Sequence, residues 1–338
     1  MSETRQDDPV VLESGALRVV VDPLIGGIIR SVTHTKLGAE VLGRAPWDAL
    51  RVPYVSAAPA DELAWLTRYP GGWPLLFPNG GVGCTFEGVQ HGFHGEASLA
   101  PWRAETEEGA VRLVRRFFTV PVTMERTIAV DDDVLVVDET VRMEGARPVR
   151  VLWNHHPTFG ADLLADDVAI ETSAGSVTVD DSYDPPANPL QPGAAGTWPT
   201  VPGKAGPFDL SRPRAPLASL AYLGDFDRAW VSLRRIDGTI GAALSWDAAL
   251  FPCSWLWYEL GGNSEAPWHG RAHLIGVEPS TSWPATGLAD IDRRGGSLLT
   301  LEPGQVVSTT LRLQAFQPQG PVRGVDAEGR AVFDRDPS

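Results

Sequence analysis

Strand-length apolar runs, each closed by turn residues, recur along this chain from residue 16 to residue 316. The run 16–22 is rich in Val, and the runs 111–119 and 122–130 flank Pro121, as two strands at a bend would. Asp131-Asp132-Asp133 separates 127–130 from 134–143, which is the pattern of a hairpin. Further strand-like runs cover 149–153, 168–172, 176–179, 217–222, 229–234, 239–246 and 254–260. A last hairpin joins 297–301 to 306–316 through Glu302-Pro303-Gly304-Gln305. No long segment combines a helical apolar period with caps. Many short strands at near-regular spacing imply an all-β sandwich or barrel with few short helices.

Strand signals cross every plausible midpoint, so residues 10–316 read as one domain with ample core. The long break is 184–216, with nine Pro in 33 residues. A loop of that length inside a compact domain is unusual. It reads as a surface excursion, with a lid or the arm of a homodimer as the alternative. Residues 317–338 form a polar tail that is expected to fray.

The net charge of −15 and pI near 4.9 disfavour nucleic acid and anionic membrane surfaces as partners. Cys84 and Cys253 are the only cysteines, so no disulfide framework can be read. The start Met-Ser-Glu-Thr-Arg-Gln-Asp-Asp lacks an apolar signal core, and no run of about 18 apolar residues exists. These features lead to the expectation of a cytoplasmic protein.

Three motifs carry the chemistry. They are Phe93-His94-Gly95-Glu96 with Pro101-Trp102 behind it, Asn154-His155-His156-Pro157-Thr158-Phe159, and Gly276-Val277-Glu278-Pro279. Consecutive strand residues point to opposite faces, so at most one of His155 and His156 faces a given cleft. Gly92 and Gly95 around His94 permit close approach of a ligand. Glu96 reads either as a group that orients His94 or as a solvated side chain. Glu278 ends an apolar strand, where partial desolvation would raise its pKa towards that of a useful base. The 12 Trp offer platforms for the C–H faces of sugars, and Trp255, Trp257, Trp268 and Trp283 cluster near Glu278 in sequence. A zinc site would have to use His91 and His94 with His155 or His156, without help from a Cys pair. No nucleophile elbow, phosphate loop or dinucleotide fingerprint is present in strand–helix context.

Taken in order, these motifs resemble the aldose 1-epimerase (galactose mutarotase-like) superfamily over roughly residues 10–316. The segment Gly71-Gly72-Trp73-Pro74-Leu75-Leu76-Phe77-Pro78-Asn79-Gly80 looks like the early segment of that family. His94-Gly95 with Pro101-Trp102 looks like its first histidine motif, His156-Pro157-Thr158-Phe159 like its second, and Glu278-Pro279 like its late glutamate. Thr158 stands where the family carries an aromatic residue. The resemblance implies a large antiparallel β-supersandwich and cofactor-free interconversion of sugar anomers. It implies Glu278 as general base, His156 as general acid, and His94 as an aid at the ring oxygen. His155 remains the alternative to His156. Trp73, Trp255 and Trp257 are candidate stacking walls, and Arg68, Asn79 and Glu259 are candidate contacts for sugar hydroxyls. Two other functions fit the same fold: a non-catalytic sugar-binding protein, or a hexose-phosphate epimerase. The second would need an arginine cluster, with Arg68 and Arg271 as candidate members.

Overall fold

A computed structural model describes residues 8–47 and 61–334. The first four strands, Val10–Glu13, Leu17–Asp22, Ile28–His34 and Ala39–Glu40, form an antiparallel sheet in chain order. They pack against a much larger antiparallel sheet, touching Ala110–Arg116, Val122–Asp131, Val134–Met143 and Val306–Phe316. Alternation drives this packing. Along Val122–Asp131, every second residue from Val122 to Ile128 is buried. Asp132 turns the hairpin to Val134–Met143 at φ 52, a left-handed conformation that Asp tolerates. This hairpin and the strand Val306–Phe316 are as the sequence predicts, but the last expected hairpin does not form: Leu299–Leu301 pairs with Val149–Val151, while Val306–Phe316 pairs with Val134–Met143 and Gly241–Ser245.

Several strands are longer than their apolar runs. Residues 168–172 and 176–179 belong to one strand, Val168–Val179, which carries a register shift between Thr172 and Ala174. Residues 217–222 and 229–234 likewise belong to one strand, Leu217–Arg235, with Asp225 at φ 55 between them. Its first part pairs with Cys253–Leu260 and its last part with Gly241–Ser245. One bent strand thus feeds two branches of the sheet, as at sandwich corners. The segment 184–216 holds three short strands, Ala195–Thr197, Thr200–Gly203 and Gly206–Asp209, at one edge of the sheet. Leu190, Val201 and Leu210 anchor it in the main core. The tail does not fray over its described part. Val322–Val325 pairs with Ala331–Phe333, and this hairpin packs on Trp230 and Phe316. The end of that tail, 335–338, and the N-terminal 1–7 lie outside the described residues. The described helices are short: Glu62–Leu66, Leu288–Arg293 and the single 3₁₀ turn Ala161–Leu164. No described helix is long and apolar enough to cross a membrane.

One charged cluster lies inside the core. Arg126 and Glu139 sit opposite each other across the hairpin, both fully buried, with Nε to Oε1 at 2.6 Å. Arg126 Nη1 also donates to Gly27 O, and Trp153 Nε1 donates to Glu139 Oε2. Burial alone would raise the Glu139 pKa, but the nearby His155 and Arg126 hold it down at about 2.

Candidate active site

The strand His273–Ser280 runs between two partners. Thr158 faces Gly276 on one side, while Trp257 faces Gly276 and Trp255 faces Glu278 on the other. Side chains directly opposite on neighbouring strands share a face, and that face alternates along each strand. Thr158, Gly276, Glu278, Trp255 and Trp257 therefore share one face, while Leu256, Tyr258, Ile275 and Val277 enter the core. Glu278 lies within the strand, two residues before its end, rather than at its terminus.

Alternation also separates the two histidines. His155 points into the core, where its Nδ1 accepts from Trp73 Nε1 at 3.2 Å. That leaves the proton on Nε2, 3.2 Å from Glu139 Oε2. His156 points the other way, and its Nε2 lies 3.4 Å from Glu278 Oε1. Its Nδ1 is 3.0 Å from Thr158 Oγ1, which is 2.6 Å from the Tyr69 hydroxyl. The second Glu278 oxygen, Oε2, is buried with no hydrogen-bond partner among the described residues.

His94 completes the cluster, with its ring centroid 5.6 Å from that of His156. It takes φ 58, a left-handed conformation uncommon for a residue with a side chain. This turn lets its Nδ1 accept from Gly81 N at 2.9 Å, which leaves Nε2 as its donor. Trp65 packs edge-on against His94, and Trp257 against His156. Asp61 caps the helix Glu62–Leu66 through Ala64 N and so sets the position of Trp65.

These groups line a cleft of about 780 Å³, together with Leu66, Phe93, Tyr183, Asn263 and Trp268. Burial dominates its electrostatics. It pushes the Glu278 carboxyl well above the usual carboxylate range and pulls the His156 pKa down to about 4. Burial, with His156 nearby, also puts His94 well below its ordinary value. All three groups therefore favour their neutral forms.

The other residues singled out from sequence divide. Trp255 and Trp257 line the cleft. Trp73, Asn79, Arg68 and Glu259 do not. Trp73 is fully buried and holds His155. Asn79 is buried and spends its amide on Val82 O, Gly92 O and Leu288 N. Arg68 Nη2 donates to Leu99 O. Glu259 accepts from Gly262 N and from the backbone and side chain of Asn263. Each belongs to a supporting layer, because a motif marks a neighbourhood and not a direction. Glu96 does not orient His94. It accepts from Arg115, Phe118 N and Thr119. Trp283 is partly exposed and stacks on Tyr222, outside the cleft lining. Trp65, Tyr69, Tyr183 and Asn263 also line the cleft, yet none lies in the three sequence motifs. The density of aromatics at Trp65, Tyr69 and Trp73 was the only signal for the first two.

Residues 46–315 match a family described as "Domain of unknown function (DUF4432)". No curated protein matches the sequence. The fold is similar to that of Slr1438 protein from Synechocystis sp. PCC 6803, with TM-score 0.65, 16% identity, and 94% of this chain and 100% of that chain covered. It is also similar to a galactose mutarotase-like protein from Lactobacillus casei ATCC 334 (TM-score 0.60, 18% identity, 91% and 100% covered). A third likeness is to the GalM/aldose epimerase homologue from C. elegans (TM-score 0.61, 12% identity, 92% and 99% covered). At such identities the likeness establishes the fold, a galactose mutarotase-like β-sandwich, and leaves the chemistry to be argued from the cleft.

Proposed function

The chain belongs to the DUF4432 family, and we propose that it acts as an aldose 1-epimerase-like isomerase, interconverting the α and β anomers of a free, uncharged sugar. The observation that carries this reading is the pairing of Glu278 Oε1 with His156 Nε2 at 3.4 Å on the wall of an aromatic-lined cleft. Glu278 Oε2, with no protein partner among the described residues, is the acceptor for a substrate hydroxyl.

The chemistry follows from the proton count of the pair. A neutral carboxyl beside a neutral imidazole holds as many protons as a carboxylate beside an imidazolium. Sugar hydroxyls that solvate the pair favour the ionised arrangement. Glu278 then takes the proton of the anomeric hydroxyl while His156 Nε2 gives its proton to the ring oxygen. The bond between the anomeric carbon and the ring oxygen breaks, and the carbonyl forms. The pair is now neutral, the state that burial prefers. After rotation about one carbon–carbon bond, the Glu278 carboxyl protonates the carbonyl oxygen. His156 takes back the proton of the attacking hydroxyl, and the ring closes on the other face. The Nε2–H of His94 donates to the ring oxygen. Each positioned acid or base contributes about 10²–10⁴-fold.

The described residues lining the cleft include no Lys or Arg, so nothing among them pairs a phosphate. This supports a neutral sugar over a sugar phosphate. Free thiols at Cys84 and Cys253 fit a cytoplasmic setting. Polarimetry of freshly dissolved α-D-glucose and α-D-galactose tests the activity. The expected result is faster relaxation with the wild type, cut at least 100-fold in Glu278→Gln with the fold retained. Saturable binding of these sugars without acceleration would overturn the catalytic reading in favour of a sugar-binding protein.

A further inference from the structure

Thr158 occupies the position where the resembled family carries an aromatic residue, and its hydroxyl touches three groups. The Tyr69 hydroxyl is 2.6 Å away, His156 Nδ1 is 3.0 Å away and the His156 carbonyl oxygen is 3.3 Å away. A threonine hydroxyl has one hydrogen to give and two lone pairs to receive. The carbonyl oxygen can only accept, so the Thr158 hydrogen goes there. Both remaining contacts must then be donated to Thr158, one by the Tyr69 O–H and one by a hydrogen on His156 Nδ1. No other assignment satisfies all three contacts. Burial raises the Tyr69 pKa, so the phenol keeps the hydrogen that this scheme needs. Thr158 is itself fully buried, so no solvent competes for its hydroxyl.

We infer that Thr158 and Tyr69 are positioning residues that lock the neutral His156 ring in its Nδ1–H form and leave the Nε2 lone pair facing Glu278. In that form Nε2 can receive a proton from the Glu278 side and return it, as anomer exchange requires. The opposite tautomer would place a hydrogen on Nε2 and leave no site there to take a proton back from the sugar. Tyr69 occupies one Thr158 lone pair and so keeps the hydroxyl from rotating away from the His156 carbonyl. The inference rests on the acid–base reading of His156, but its first test needs no sugar.

That test is NMR of ¹⁵N-histidine-labelled protein at pH 7. Two-bond correlations from the ring carbon-bound hydrogens identify the protonated nitrogen, and His156→Gln assigns the signal. Expected is Nδ1–H in the wild type and in Thr158→Ser, which keeps the hydroxyl. In Thr158→Val, a change of nearly equal volume, the signal should move toward Nε2–H. The same variant should lose about tenfold in turnover with KM within about twofold, and Thr158→Ser should restore it. Nε2–H in the wild type overturns the inference, and so does an unchanged tautomer in Thr158→Val. Should Thr158→Val fail to fold, the wild-type and Thr158→Ser spectra still decide between the two tautomers. An Nδ1–H wild type that accelerates no sugar would leave the device standing and sink the epimerase reading instead.

Discussion

His155 and His156 are adjacent in sequence and have opposite environments. One is sealed between Trp73 and Glu139, and the other meets Glu278 in the cleft. The strand pleat alone separates them. His156→Asn should therefore lower turnover by about 100-fold with little change in the melting temperature. A larger effect on melting than on turnover would show that His156 is a packing residue. The pH profile follows from the same pair. Between about pH 4, where His156 is held, and the raised value of Glu278, the pair carries one proton, the number the cycle uses. Below about pH 4 a second proton removes the base, and above the Glu278 value the acid is lost. The expected profile of kcat/KM is a bell whose acid limb lies near pH 4. An acid limb near the ordinary histidine value of 6.5 would mean that His156 is solvated during turnover.

At the scale of the element, the strand His273–Ser280 carries the carboxylate because a glycine precedes it by two residues. A Cβ on Gly276 would lie 2.6 Å from Glu278 Oε1 and 3.3 Å from Trp257 Cβ. The carboxylate folds back over the space that this missing side chain leaves. Gly276→Ala pushes Oε1 away from His156 without touching the core face of the strand. Displacement of a reacting group by about 1 Å costs roughly 100-fold in rate. The expected result is a loss of turnover near that size, with a melting temperature within a few degrees of wild type. An active Gly276→Ala enzyme would argue against the pairing of Oε1 with His156 as the working arrangement. The helix Glu62–Leu66 is the contrasting case. It has five residues, too few for a period, yet it brings Trp65 to His94 and leads into Tyr69. Short elements held by one cap and by tertiary contacts leave little trace in a sequence.

For the whole molecule, the buried Arg126–Glu139 pair ties the hairpin to His155 and Trp153, which flank Asn154, the residue that pairs with Ser280 of the cleft strand. Removing one partner strands the other charge. Glu139→Gln should cost about 3–5 kcal/mol in a urea melt. The sign with pH is definite. Glu139 is held at about 2 in the folded state against an ordinary 4.5. Its contribution is complete above about pH 4.5 and is lost as pH falls toward 2. Wild-type stability should therefore decline over that window, and Glu139→Gln should show a shallower decline. Parallel curves would remove Glu139 from the account of acid unfolding.

Strand-length apolar runs with turn residues between them were enough to specify an all-β fold of many short strands and the hairpin of 127–130 with 134–143, which the structure extends to Val122–Asp131 and Val134–Met143. Local pleat geometry is written in the order of residues, and so is the rule that only one of His155 and His156 can face the cleft. Which one does so was decided by the tertiary structure, because a pleat has two faces and only packing chooses the inner one. The same holds for Trp73, Asn79, Arg68 and Glu259, which sit near the cleft motifs but spend their polar atoms elsewhere. The joining of 217–222 to 229–234 as one bent strand depends on its pairing with two different strands, and the meeting of Tyr69, Thr158 and Glu278 around His156 depends on contacts between residues far apart in the chain, 89 residues for Tyr69 and Thr158. Such contacts are set by the closing of the sheets around a common core.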